Sequence, residues 1–139
     1  MRRGMTAIEL AITLSVIALM LGLVIPSAAR FRDGIAVRNA SAEAVAAFAV
    51  ARQSAIVRGA RAQLSIDDPP GHIMVSVGGE SLMRRDLEGS YGITLTTTRD
   101  STAYSPLGLG HGVANLRMVI EKGRVAETIF VSREGRVRR

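Results

Sequence analysis

From Leu10 to Ala29 the chain runs for 20 residues without a charged side chain. At about 1.5 Å of rise per residue such a run makes a helix of roughly 30 Å, the thickness of the hydrocarbon core of a bilayer. The segment is long enough to cross a membrane, and a carboxylate, Glu9, stands at its start behind Arg2 and Arg3. Two fates compete for it. Ser27 and Ala29 form a small-x-small pattern that a secretory peptidase cuts after Ala29, which makes the run a removable signal. Against that, the run is longer than an ordinary signal h-region and carries an acid near its start, which makes it an anchor that stays.

Glu9 itself has two explanations. Thr6 and Glu9 stand in the T-x-x-E spacing of a capping box, in which each side chain satisfies a backbone N–H of the first helical turn and the acid faces the positive end of the helix dipole. In a membrane segment the same acid costs about 2.5–3.5 kcal/mol near the centre, less near the interface, and calls for a partner. No basic residue lies within the run, so the partner comes from a chain end or another molecule, and a free α-amino group serves. The two roles are compatible.

The stretch Gly4-Met5-Thr6-Ala7-Ile8-Glu9, with two arginines before it and the apolar run after it, resembles the class III signal of type IV pilins and type II secretion pseudopilins. That resemblance implies cleavage between Gly4 and Met5 by a prepilin peptidase on the cytoplasmic side and N-methylation of Met5. It also implies an assembly role for Glu9, which meets the terminal amine of a neighbouring subunit. The family more often has phenylalanine where this chain has Met5. Pro26 falls where many members kink or locally unwind the helix, as an interior proline would. Flanking charge does not set the topology, because Arg2 and Arg3 on one side face Arg30, Arg32 and Arg38 on the other, offset by Asp33. The resemblance places the amino end inside. It divides the chain into a leader over residues 1–4, a transmembrane half-helix over 5–29 and a periplasmic domain over 30–139.

Past the apolar run, Val37, Ala40, Ala44, Phe48, Ala51 and Ala55 recur at three- and four-residue steps, with Arg38, Glu43, Arg52 and Arg58 on other faces. This predicts an amphipathic helix that continues the first to about Val57, with the alanine-rich stripe packed beneath a sheet. The second half alternates in ARAQLSI, HIMVSV, YGITLTTT, NLRMVIEK and VAETIFVS, separated by DDPPG, VGGE, SPLGLGHG and a tight KGR turn. Short strands joined by short turns imply an antiparallel sheet. The fold class is therefore α+β, a long amino-terminal helix packed against an antiparallel sheet, the pilin-like arrangement. ARQSAIVRG, YSPLGLG and VSREGRVRR resemble the GspH/FimT-like minor pseudopilins in particular.

With no cysteine in the chain there is no disulfide framework. The titratable residues give little basis for an enzyme, a cofactor or a metal site. His72 and His111 are far apart and lack carboxylates at ligand spacing. Asp67 and Asp68, directly before Pro69 and Pro70, read as turn initiators. Gly108, Gly110 and Gly112 mimic a phosphate loop, but no helix pattern opens after them, so they read as a connection. The net charge of +6 favours acidic partners, and Arg133, Arg136, Arg138 and Arg139 cluster at the end. Gly135 allows a bend that gathers them, and such a cluster binds phosphates without sequence preference. The tail itself has no aromatic residue for base stacking, and a solvated strand, or one facing an acidic neighbour in a filament, is the alternative. Gly135-Arg136-Val137-Arg138 has a G-R-x-R form that resembles minor pilins implicated in DNA uptake.

The expectation is a minor pilin or pseudopilin that is not an enzyme and uses no cofactor. It would be held once in the inner membrane with its bulk in the periplasm. Its partners would be the prepilin peptidase, other pilin subunits and, in the alternative, DNA.

Overall fold

The computed structural model describes residues 6–111 and 115–139, apart from the side chains of Leu23 and Pro26. Gly4 and Met5, on which the cleavage and methylation expectations rest, lie outside the described residues, as does Gly112. By contact density the chain divides into two compact units, residues 1–32 and Asp33–Arg139.

Helix α1 spans Ala7–Arg58. It stops for a local reason: Gly59 adopts a left-handed conformation, φ 57°, and the Gly59 and Ala60 amides bond back to the carbonyls of Ile56 and Ala55 at 3.2 Å each. This is the Schellman closure that a glycine just past a helix end permits. In the second unit one face of α1 is lined by Val37, Ala40, Ala44, Phe48, Ala51 and Ala55, all buried, together with Ala47. The three- and four-residue periodicity therefore marked the face that meets the sheets. α1 remains helical through position 26.

The strands form two antiparallel sheets rather than one. The first holds β1 (Ala62–Asp67), β2 (His72–Val77), β3 (Glu80–Asp86), β5 (Ser101–Tyr104) and β6 (Gly110–His111) in the order β3-β2-β1-β5-β6. The second holds β4 (Thr94–Thr97), β7 (Leu116–Lys122), β8 (Val125–Val131) and β9 (Val137–Arg138) in the order β4-β7-β8-β9. A short helix α2 (Leu87–Tyr91) links β3 to β4. Inward residues of both sheets, among them Leu64, Ile73, Val75, Leu95, Met118, Ile120 and Ile129, close one core over α1. The Lys122–Val125 pair closes the β7–β8 hairpin as expected. Its turn is Gly123–Arg124 with φ 60° at the glycine and no positive φ at the arginine, the pattern of a II′ turn.

Two carboxylates finish the edge of the second sheet. Glu88 Oε1 accepts from the Leu95 amide at 2.9 Å and Asp68 Oδ2 from the Thr97 amide at 3.0 Å. Asp68 is thus more than a turn initiator: it occupies a donor on strand β4 that would otherwise be open to another chain.

Candidate functional site

Two regions carry the residues singled out by sequence. The first is the start of α1. Here the capping box is formed: the Glu9 amide donates to Thr6 Oγ1 at 3.3 Å, while the Thr6 amide and hydroxyl both donate to Glu9 Oε2 at 3.1 Å. Glu9 Oε1 accepts no hydrogen bond among the described residues. Downstream, every described side chain to Arg32 is exposed, including Leu10, Leu14, Ile17, Leu19 and Ile25. An apolar surface this long, uncovered by the chain's own fold, is suited to lipid or to other helices. Its few hydroxyls are already internally bonded: Thr13, Ser15 and Ser27 each donate to a carbonyl of the preceding turn at 2.7–2.9 Å. The helix therefore has the length and composition to span a membrane.

The second region is the carboxy-terminal tail, held by three residues that sequence reasoning did not connect to it. Tyr104, 1% exposed, donates its hydroxyl to the Gly135 carbonyl at 3.3 Å. The Gly110 amide donates to the Glu134 carbonyl at 3.2 Å. A Cβ at Gly135 would lie 2.5 Å from the Tyr104 ring, and one at Gly110 would lie 2.5 Å from the Arg133 carbonyl oxygen, so both positions require glycine. The bend foreseen at Gly135 is present, with φ 81°. Ser132 clamps it, its amide donating to the Arg136 carbonyl at 2.9 Å and its hydroxyl accepting from the Arg136 amide at 3.1 Å. Burial pushes the Tyr104 phenol above its usual pKa, with the Arg52 charge opposing that shift.

The bend gathers three of the four tail arginines. Arg133, Arg136 and Arg138 line a groove of about 490 Å³ whose floor includes Phe130 and Val131. Arg139 is not among its lining residues and lies 3.7 Å from Glu127, while Arg136 Nε lies 3.2 Å from Glu134. Part of the tail charge is therefore met by the protein's own acids. The expectation that aromatic stacking has no support here needs correcting. Phe130, half-exposed, lies directly opposite Arg138 on one side and Arg117 on the other, so the fold supplies the ring that the tail lacks. Only the strand register could have shown this.

The remaining candidates do not converge. His72 contacts Arg84 at 3.1 Å and lies 3.8 Å from Asp86, whereas His111 is exposed on β6. Among the described residues no three His, Asp or Glu side chains are grouped to hold a metal. Gly108 closes a turn, its amide donating to the Ser105 carbonyl at 2.8 Å.

No family model matches the sequence, and no curated protein matches it. Two solved crystal forms of the type IV minor pilin FimU of Pseudomonas aeruginosa do resemble the fold. One superposes with a TM-score of 0.63 at 16% identity, covering 73% of this chain and 86% of that one. The other gives 0.60 at 15% identity, covering 73% and 90%. The chain has the type IV pilin fold: a long apolar amino-terminal helix carrying antiparallel sheets.

Proposed function

We propose that this chain is a minor pilin or pseudopilin subunit, anchored in an inner membrane by α1 and assembled with other pilin-like subunits into a filament of a type II secretion or type IV pilus system. The observation that carries the reading is a pilin fold whose first helix is apolar, uncovered and headed by the Thr6–Glu9 box. Cleavage by a prepilin peptidase between Gly4 and Met5 frees an amine on Met5, which is then methylated. Glu9 Oε1 has no hydrogen-bond donor of its own among the described residues, so the carboxylate keeps its cap through Oε2 and still accepts the amine of a neighbour. Pro26, which removes one backbone donor from the otherwise continuous α1, is the position at which the assembled helix would kink or locally unwind. The fold domain acts as a structural piece with no chemistry of its own.

The test separates processing from assembly. Glu9→Ala matures normally but is recovered in sheared filaments at a small fraction of the wild-type amount; full recovery would overturn the Glu9 pairing. Gly4→Ala blocks maturation, and normal maturation would refute the cleavage position.

A second reading, nucleic-acid binding by the tail, is favoured by the Arg117–Phe130–Arg138 row, since an exposed ring between guanidiniums is the usual platform for a stacked base beside its phosphates. Gel-shift titration of the Asp33–Arg139 unit, which holds every buried core residue among the described residues, tests it. Changing Arg136 and Arg138 to Ala should lower the salt slope of binding by about 2, one per lost phosphate contact. An unchanged slope removes this reading.

A further inference from the structure

Between the tail and α1 lies a second groove, about 430 Å³, on the other side of the same arginines. Its floor is apolar, made of Val45 and Ala49 from α1 and Val137 from β9 over the buried Phe48, and its rim carries Arg52 from α1 with Arg136 and Arg138 from the tail. No carboxylate lines it. Arg52 shares this lining with Tyr104, whose hydroxyl its charge reaches. Among the described residues neither Arg52 nor Arg138 has an ion-pair partner.

An apolar floor and a rim on which Arg52 and Arg138 have no ion-pair partner among the described residues, with Arg136 3.2 Å from Glu134, make opposite demands on one ligand. The floor favours a methylene-rich or branched side chain, worth about 0.8 kcal/mol per buried CH₂. The rim favours a planar anion that takes two N–H donors from one guanidinium. A nucleic-acid backbone satisfies the rim and leaves the floor wet. A purely apolar segment satisfies the floor and leaves the arginines unmet. We infer that this groove docks an acidic peptide segment of a partner protein, with a carboxylate set among Arg52, Arg136 and Arg138 and an aliphatic side chain on the Ala49–Val137 floor. In an extended segment a Leu-x-Glu spacing puts both groups on one face, and that is the spacing the groove selects. The site belongs wholly to the Asp33–Arg139 unit and needs neither a filament nor a membrane.

The experiment titrates the Asp33–Arg139 unit into a fluorescein-labelled peptide of repeating Leu-Ser-Glu-Ser and follows anisotropy. A Leu-Ser-Lys-Ser peptide and a labelled oligothymidylate run in parallel. The acidic peptide binds saturably and the lysine peptide does not. Arg52→Gln weakens the acidic peptide about tenfold, the loss expected for one charged hydrogen-bonding partner. Ala49→Trp, at an exposed helix position that tolerates bulk, fills the floor and weakens it at least as much. Arg133→Gln, which lines only the Phe130 groove, leaves binding unchanged. The inference is overturned if the acidic peptide fails to saturate, or if it binds equally well to Arg52→Gln and Ala49→Trp. It is also overturned if oligothymidylate competes for the peptide and its own affinity falls with both substitutions, which would make the groove a polyanion site. Oligonucleotide binding that does not compete with the peptide, and that falls with Arg133→Gln but not with Ala49→Trp, places the polyanion in the Phe130 groove and supports a separate peptide site.

Discussion

Ser41 offers the most direct energetic test of how α1 is packed. Its side chain is fully buried in the core face, and its hydroxyl has no hydrogen-bond partner among the described residues. A buried hydroxyl left unpaired costs about 1–3 kcal/mol, and alanine is also the better helix former by roughly 0.5 kcal/mol. Removing one oxygen from a face already built of alanines leaves a void smaller than a methyl group, so little of that gain is returned as a cavity. Ser41→Ala should therefore stabilise the Asp33–Arg139 unit by about 1–2 kcal/mol. For a domain near this size that raises Tm by roughly 5–10 °C. The assay is calorimetric or urea unfolding, with Ser54→Ala as control: Ser54 lies on the same helix but is only half-buried, so it reports the propensity contribution. If Ser41→Ala proves no more stable than that control, the hydroxyl is satisfied in the folded state and the reasoning fails.

Gly135→Ala should destabilise the unit by about 2–4 kcal/mol, combining a left-handed backbone with a methyl driven into the Tyr104 ring; urea midpoints check it, and a loss below about 1 kcal/mol would mean the tail seam yields easily. Alkaline unfolding tests the two tyrosines. Tyr91, donating to Glu43 at 2.8 Å, has its pKa raised chiefly by that bond, and Tyr104 has its pKa raised chiefly by burial. Both folded values lie above the unfolded 10.0, so their contribution is complete below pH 10 and fades as pH rises through the folded values. The double Tyr91→Phe, Tyr104→Phe variant should lose less stability than wild type above pH 10, and parallel curves would contradict this. Asp68→Asn should cost less than about 1 kcal/mol in stability but, by weakening the cover on β4, should increase association at high concentration, as light scattering would show.

How far the residues foretold the fold depends on how local each signal was. The buried face of α1, from Val37 to Ala55, is written in a period that sterics alone enforce, and the Lys122–Gly123 hairpin in a turn that only glycine eases. β3 was invisible because Glu80, Arg84, Arg85 and Asp86 keep it exposed as an edge strand, so it has no inside-outside alternation. α2 rests on its two caps, the Gly89 amide donating to Asp86 at 2.7 Å and the left-handed Gly92 donating its amide to the Glu88 carbonyl at 2.8 Å, and its five residues are too few for any periodicity. The split into two sheets follows from which strands pair, and no short segment encodes that. The tail was legible as charge and as a glycine bend. Its setting was not, because Phe130, Tyr104 and Gly110 reach Arg136 and Arg138 only through the register of β8 with β9 and the seam with β6. Thr6 and Glu9 were legible as a cap because both partners fall within one turn.

The amino terminus separates an anchored filament subunit from an ordinary secreted protein. Mass spectrometry of the amino-terminal peptide, from protein recovered from membranes of a native or closely related host, tests it most directly. A mature chain beginning at Met5 and carrying one added methyl group is the predicted result. A chain beginning at Arg30 would contradict it, because α1 would then have lost its apolar segment together with Glu9 and could neither anchor nor assemble as proposed.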